Sequence, residues 1–312
     1  MRVMRRRSRP KGRAATHFPS FSKPDFVNPT VHMFIEDVHI AVMPIGGRTE
    51  KRTDFSVTFQ GEPIECERAK DLCLSLSRHR RYSDKELMCD VVDQITQYLA
   101  WYGRAVCEII RDTDEIGKTY LLHFTPQRLY RIPGHYVQWV PSGDYELWKK
   151  RFIVIPSKDV WEISIPLILG GASSYRKILS GLRRFEHLGP RFWRGDLEKQ
   201  KLTKHYDFME YVRNSEIYYD RITQTWGWNR RDWTQERSTE FFNFYRTITF
   251  RWAQAVLREH IIKEINDLLV RLNIGSMIVI SGLPTSDEIL EIRKEMLDGR
   301  ISFGKAFDQV TF

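Results

Sequence analysis

The most regular alternation of apolar and polar side chains lies at residues 238–272, where apolar residues recur every three or four positions. This spacing puts them on one face of a helix and predicts a single long α-helix. Ser238 favours its start, and Arg271 with Gly275 favours its end. Such a helix is about 50 Å long, so we expect either a packed beam with one solvated face or a surface for neighbouring copies. The charged positions of the polar side are Arg246, Arg251, Arg258, Lys263, Glu264 and Asp267.

The N-terminal third has a different pattern. Residues 16–63 contain five prolines and short apolar runs at 31–35 and 38–42, which predicts an extended arm with two edge strands. Helical spacing begins after Glu65 and again after Ser83, which stands three residues before Glu86 as in a capping box. We expect this second helix to end at Gly103.

A β-rich block follows, with short stretches that predict strands joined by tight turns. They are residues 104–110, 118–124, 128–132, 136–140, 152–155 and 160–165. The turns fall at 112–117 and 141–144. This pattern indicates an antiparallel sheet, and it lacks the strand-helix alternation of a parallel nucleotide-binding domain. We therefore expect an α+β fold and no cofactor in this region.

Helical patterning returns after Gly170-Gly171. Ser173 or Ser174 is expected to cap a helix that runs to about residue 185, before the break at Gly189-Pro190. A further helix is predicted at 206–225, and a loop at 226–233 separates it from the long helix. Beyond the long helix we expect a strand at 277–280, a helix capped by Thr285 or Ser286, and a final helical stub from Ser302.

Composition limits the possible classes of protein. Of 312 residues, 42% are apolar and 29% are charged, which is typical of a globular protein with one large core or two small ones. No apolar run is long enough to span a bilayer. The four cysteines show neither a disulfide framework nor metal-ligand spacing, so we expect buried thiols in a reducing cytoplasm.

The net charge of +9 lies mostly at the N-terminus, because the first 13 residues carry seven basic and no acidic residues. Tails of this kind either contact phosphate groups or stay solvated without a dedicated partner, and the sequence leaves both open. The residues assigned to this basic tail are Arg5, Arg6, Arg7, Arg9, Lys11 and Arg13.

Motifs that carry catalysis are missing from the sequence. The histidines are scattered, Gly170-Gly171-Ala172-Ser173 lacks the lysine and outer glycine of a phosphate-binding loop, and no Gly-x-Ser-x-Gly elbow occurs. We therefore expect no catalytic residues, no metal, no cofactor and no enzymatic activity.

Two segments interleave aromatic and basic residues, as single-strand nucleic-acid binders do. In residues 226–233 the alternative is that the indoles pack on the long helix while Arg230 and Arg231 face water. Residues 191–204 also contain Asp196 and Glu198, so an ordinary solvated helix face is the alternative there.

Four local patterns follow one another over residues 65–310. The first two are YGRAVCEIIRD at 102–112 and LLHFTPQRL at 121–129. The third is IPSKDVWEI at 155–163, followed by Gly-Ala-Ser at 171–173. The fourth is the long helix with LPTSDE at 283–288 and LDGRIS at 297–302. In this order they resemble the portal proteins of tailed double-stranded DNA bacteriophages.

The resemblance implies a homo-oligomeric ring, usually of twelve subunits, at one vertex of the capsid. A terminase drives double-stranded DNA through such a ring during packaging, and the DNA later leaves through it. The implied partners are the DNA in the channel, the terminase, a head-completion or adaptor protein and the major capsid protein. The implied location is the virion, with the host cytoplasm during assembly and no membrane.

By region, the resemblance implies a basic tail and extended arm at 1–63, a wing part at 64–172, stem helices at 173–225 with a short clip at about 190–205, a tunnel loop at 226–237, and the long wing helix with a C-terminal strand and helices at 238–312. The tunnel-loop residues expected to face DNA are Trp228, Asn229, Arg230, Arg231 and Trp233. The clip residues expected to contact a partner are Arg191, Trp193, Arg194, Lys199, Lys201 and Lys204.

Two other functions compete with a DNA conduit. One is a nucleic-acid-binding module that uses the arginine-rich tail and the tryptophan-arginine loop, and the other is an unrecognised enzyme. A portal assembles into a ring of hundreds of kilodaltons, whereas a binding module is a monomer or dimer whose affinity falls steeply with salt.

Overall fold

A computed structural model of the chain describes residues 12–19, 29–40, 42–43, 55–78, 83–111, 118–183, 208–231 and 239–310. Over these residues the fold is α+β with antiparallel sheets, as the hydrophobic patterning predicts. Trp233 and the clip residues at 191–204 lie outside the described residues, as does the basic tail up to Lys11. No helix within the described ranges is both long enough and apolar enough to cross a bilayer.

The N-terminal half begins with helix α1 (Pro29–His39), strand β1 (Ser56–Gly61), and helices α2 (Pro63–Leu76) and α3 (Asp84–Tyr102). The capping box predicted for α3 is present, because the Glu86 amide donates to the Ser83 hydroxyl at 3.3 Å and the Ser83 amide donates to the Glu86 carboxylate at 3.0 Å. The helix ends at Gly103, whose φ of 73° is the left-handed conformation that glycine adopts without a Cβ clash. Both boundaries of α3 are therefore set locally.

Six short strands and one short helix follow. They are β2 (Arg104–Arg111), β3 (Thr119–His123), β4 (Leu129–Ile132), β5 (His135–Trp139), α4 (Tyr145–Trp148), β6 (Phe152–Pro156) and β7 (Val160–Ser164). They form two three-stranded sheets, ordered β3-β2-β7 and β4-β5-β6, and every pairing is antiparallel. The predicted strands are confirmed to within one or two residues at their ends, apart from the turn at 112–117, which lies outside the described residues.

The C-terminal half contains α5 (Gly171–Leu182), α6 (Phe208–Ile222), α7 (Glu240–Arg271), β8 (Ser276–Ser281), α8 (Ser286–Leu297) and α9 (Phe303–Val310). Helix α7 is the predicted long helix, with 32 residues and a length of about 48 Å. Strand β8 pairs antiparallel with β1, which links the C-terminal half of the chain to the N-terminal half. Thr285, one of the two predicted caps, is the N-cap of α8, and it forms a capping box with Glu288.

Three hydrophobic cores hold these elements together. The largest lies between α1, α2, α3, α5 and α7 and one face of β2. A second lies beneath β4, β5 and β6, and a third lies between the N-terminal half of α7 and helices α8 and α9. Helix α7 contributes to the first and third cores, so it is buried on more than one side and connects them as a rigid strut.

The two edge strands predicted at residues 31–35 and 38–42 are wrong. Residues 29–39 form helix α1, and its buried residues Val31, Phe34, Ile35 and Val38 recur at helical spacing. Pro29 begins the helix, a position where its missing amide hydrogen costs nothing. The β-branched residues of this segment favour a strand. Burial of one face in the main core stabilises the helix instead.

The segment 12–19 is not a free arm. Ala15 and Phe18 are fully buried in the second core, and the amides of Arg13 and Ala14 donate to the Glu108 carboxylate at 2.8 and 2.9 Å. The basic tail therefore joins the folded body at a fixed point, next to β2. Arg13, counted in the tail, has its guanidinium 3.8 Å from Asp159.

Three smaller expectations are also corrected. Gly170, and not Ser173 or Ser174, is the N-cap of α5, and Thr239, and not Ser238, caps α7. The polar side of α7 is not simply solvated, because Arg246 and Arg258 are each only 4% exposed. Packing of α6 and of the 283–285 turn against α7 covers these arginines, which helical periodicity alone does not reveal.

Candidate functional site

The predicted tunnel loop begins with a tight turn after α6, and its described part is residues 226–231. Gly227 has a φ of 72°, and a Cβ at this position would lie 2.6 Å from the carbonyl oxygen of Arg246. The backbone of the turn therefore packs directly against the backbone of α7, a contact that only glycine permits. We call residues 226–231 the Trp–Arg turn.

Both tryptophans of this turn are buried. Trp226 is 0% and Trp228 is 1% exposed, and the ring centroid of Phe34 lies 6.0 and 5.1 Å from theirs. Tyr175 of α5 completes the cluster, with its ring centroid 5.3 Å from Trp226. The expectation that the Trp228 side chain faces DNA is corrected, because the main core encloses its ring.

Asp37 of α1 organises the polar side of the Trp–Arg turn. Its carboxylate accepts a hydrogen bond from Trp228 Nε1 at 2.7 Å and another from Arg231 Nε at 2.6 Å. Its backbone carbonyl accepts from the side-chain amide of Gln254 on α7 at 2.9 Å. The hydrogen bond to Asp37 raises the pKa of Arg231. One aspartate therefore links α1, the turn and the long helix.

The remaining polar residues of the turn are also paired. Arg230 lies over the ring of Tyr219 at 5.8 Å and 3.9 Å from the Glu216 carboxylate. Asn229 donates to the hydroxyl of Thr247 at 3.2 Å. The Arg230 side chain is 18% exposed and that of Arg231 is 50% exposed, so Arg231 is the more accessible cation.

Arg246 fixes the turn from the side of α7. Its guanidinium donates to the backbone carbonyl of Asp220 at 3.1 Å, to the hydroxyl of Thr223 at 2.8 Å and to the backbone carbonyl of Trp228. Burial lowers the pKa of Arg246, and the carboxylate of Asp220 at 3.6 Å opposes that shift. The end of α6 and the turn itself thereby supply acceptors for the two terminal nitrogens of this buried guanidinium, while its Nε has no hydrogen-bond partner among the described residues.

Sequence reasoning brought Trp228, Asn229, Arg230 and Arg231 together correctly, because they are consecutive. It missed Asp37 and Arg246, which hold them. The helical spacing of apolar residues 31–38 is the one sequence signal that places Asp37 on a helix. No local pattern distinguishes Arg246 from a solvated arginine on a helix.

The electrostatic balance of the site is close to neutral. Arg230 and Arg231 face three carboxylates, those of Glu36, Asp37 and Glu216. Ion pairing reduces the free charge that a phosphate group meets, so this site is weaker for DNA than two solvated arginines. The arrangement suits transient contact through Arg231 better than tight binding.

Cys107 and His123 form a thiol–imidazole pair outside the Trp–Arg turn. Cys107 Sγ lies 3.1 Å from Nδ1 of His123, but burial raises the pKa of the thiol and lowers the pKa of the imidazole to about 4. Both shifts favour the uncharged thiol and imidazole over a thiolate. Among the described residues, no cluster of three or more His, Cys, Asp or Glu side chains is placed to hold a metal ion.

No protein-family model matches the chain, and no match is found among curated proteins.

Proposed function

We propose that this chain is the subunit of a ring-shaped portal, a structural channel at one vertex of a viral capsid for the packaging and exit of double-stranded DNA. One observation carries the proposal, namely the order of the elements. An antiparallel α+β part is followed by α5 and α6, then by the Trp–Arg turn, and then by the 32-residue helix α7. In the family that the sequence resembles, wing, stem, tunnel loop and wing helix follow in this order.

The electrostatics of the Trp–Arg turn support a conduit. DNA must slide through a channel, and each phosphate that a protein neutralises adds salt-dependent affinity and therefore resistance to sliding. Glu216 and Asp37 partly neutralise Arg230 and Arg231, so these arginines attract DNA only weakly. Trp228 then has a structural role, because it anchors the turn to α1.

The packing of α7 supports a mechanical role. This helix belongs both to the main core and to the core formed with α8 and α9. Close-packed interiors transmit strain, so a force at the Trp–Arg turn is spread over the whole wing through α7. A channel through which a stiff polymer is driven needs such a frame to withstand the load.

The alternative function is a nucleic-acid-binding module that uses the arginine-rich tail and the Trp–Arg turn. The burial of Trp226 and Trp228 removes two rings on which bases would stack. Over the described residues, this alternative depends mainly on Arg231, whose guanidinium is already ion-paired with Asp37 and Glu36.

The mass of the purified chain separates the two functions. We expect particles of hundreds of kilodaltons by multi-angle light scattering, and rings with an axial hole in negative-stain images. A protein that stays monomeric or dimeric at high concentration, and whose DNA affinity falls steeply with salt, contradicts the portal and favours the binding module.

A second experiment tests the DNA-facing role of the turn. We expect the double substitution Arg230→Ala and Arg231→Ala to leave assembly intact and to change DNA packaging or retention. Arg68→Ala is the matched control, since Arg68 is 40% exposed, is paired with Glu65 at 2.8 Å and lies on α2, outside the turn. Normal packaging and retention by the double mutant would remove the reason for placing this turn in the channel.

A further inference from the structure

The sheet β4-β5-β6 is apolar on both faces. One face, with Leu129, Tyr136, Ile153 and Ile155, covers the second core. The opposite face has no cover among the described residues. Its exposed side chains are Tyr130 at 57%, Ile132 at 46%, Trp139 at 55%, Phe152 at 55% and Val154 at 44%.

Strand register makes this outer face one continuous patch. Tyr130 pairs with Val137, Val137 pairs with Val154, and Trp139 pairs with Phe152 across the three strands. Paired residues project to the same side of a sheet, and the Tyr130 and Trp139 rings meet edge to face at 6.5 Å. We call this surface the aromatic face. A patch of this kind marks an interaction site.

The surroundings of the aromatic face are basic. Residues 128–156 contain five arginines and lysines and two acidic residues, of which Asp144 is buried. The cations include the consecutive exposed residues Lys149, Lys150 and Arg151. A partner that fits must therefore be apolar at its centre and acidic around it.

Helix α8 carries that complementary surface. Leu290 and Leu297 are 40% and 52% exposed and lie seven residues apart, so they project from the same side of the helix. Residues 286–299 contain five acidic and two basic residues, so the helix surface is net acidic. The exposed Glu291 and Asp298 lie beside the leucines, 3.9 Å from Lys294 and 3.4 Å from Arg300 respectively. By contrast, the chain's own segments outside the described residues at 1–11 and 191–204 are rich in arginine and lysine, which the basic rim repels.

The two surfaces lie at different ends of α7. Helix α8 packs along its N-terminal part, where Arg293 contacts Thr249. The sheet adjoins its C-terminal end, where Arg271 donates to the carbonyl of Ser157, the residue that follows β6. About 30 Å of helix separates Thr249 from Arg271. Within one protomer these two surfaces therefore do not cover each other, and both are exposed among the described residues.

We propose that the aromatic face of one copy of this chain binds the acidic, leucine-bearing side of α8 in the next copy. Because two different surfaces meet, the contact is head-to-tail, and such contacts close into rings when the rotation per subunit permits. This inference rests on the proposed ring and names the surfaces that join its subunits.

A charge-reversal exchange tests the contact in the full-length chain. One variant carries Lys149→Glu and Lys150→Glu, and the other carries Glu291→Lys and Asp298→Lys. Each variant alone opposes like charges, so we expect the assembled fraction in mass photometry to fall by about tenfold or more. The two variants mixed, or all four changes in one chain, bring opposite charges together again and restore assembly.

An apolar variant and a control complete the design. Trp139→Ser with Phe152→Ser should abolish assembly and leave the circular dichroism spectrum unchanged, since both rings are exposed. Ile64→Ser, at a residue that is 75% exposed on α2, is the control and should assemble normally.

The outcomes separate this inference from the proposed function. Assembly that persists in both reversed variants, or no recovery when they are combined, overturns the contact while the ring stands. A wild-type chain that is monomeric at every concentration overturns both.

Discussion

Asp37 and Trp228 are 191 residues apart in the chain, yet the indole Nε1 of Trp228 donates to the Asp37 carboxylate at 2.7 Å. The same carboxylate accepts from Arg231, so one acidic side chain of α1 positions the whole Trp–Arg turn. A hydrogen bond to a charged acceptor contributes more to stability than one between neutral groups. The first prediction follows from this pair.

We expect Asp37→Ala to lower the free energy of unfolding by about 2–3 kcal/mol, because a buried indole donor loses its partner. Glu36→Ala is the control, since Glu36 binds the same Arg231 from a position where both side chains are 50% exposed, and its loss should cost less than about 1 kcal/mol. Urea titrations at one protein concentration give both values. Equal losses for the two variants would mean that the indole hydrogen bond contributes nothing.

Gly227 and Gly299 form a matched pair of glycines. Both have a φ of 72°, but a Cβ at Gly227 meets three atoms of α7 at 2.6–2.8 Å, whereas a Cβ at Gly299 meets nothing within 4 Å. Gly299→Ala should therefore cost about 1 kcal/mol for the left-handed conformation alone. Gly227→Ala should cost at least about 3 kcal/mol, because the turn must also move away from α7. Similar melting temperatures for the two variants would contradict the close approach.

Arg246 is a buried cation with three hydrogen-bond acceptors. Its replacement by methionine keeps much of the volume but removes the donor to the backbone carbonyls of Asp220 and Trp228. We expect a loss of about 3–5 kcal/mol in the free energy of unfolding, as for other broken buried charge pairs. Arg221→Met, at an exposed position of α6, is the control and should stay within about 0.5 kcal/mol of wild type.

His123 makes stability depend on pH. Burial, with a smaller contribution from Arg78, lowers its pKa from 6.5 to about 4 in the folded protein, and its ring stacks on Tyr98 at 4.5 Å. Below pH 6.5 the imidazole is protonated in the unfolded chain but stays neutral in the folded protein. The free energy of unfolding therefore falls as the pH drops from 6.5 to 4. We expect this residue to account for roughly 2–3 kcal/mol of that loss.

The variant His123→Phe keeps a stacking ring without a titrating group, so its stability should fall less than that of wild type over this range. Parallel pH profiles for wild type and His123→Phe would show that the imidazole has the same pKa in the folded and unfolded states.

Local signals fixed a large part of the fold in advance. The capping box of Ser83, the helix cap at Thr285, the left-handed Gly103 and the short strands β2 to β7 with their turns depend on neighbouring residues, so the sequence alone determines them. The 32-residue helix α7 belongs to the same class, since its hydrophobic period extends over many turns. These elements follow from contacts between residues that are close in the chain.

Tertiary structure decided what local signals leave open. Residues 29–39 are helical because the main core buries one side of them, although their β-branched residues favoured strands. Trp228 points inwards and Arg246 is buried because elements distant in sequence cover them. The physical reason is that burial and ion pairing depend on which surfaces meet in space, and the spacing of residues along a chain does not record that.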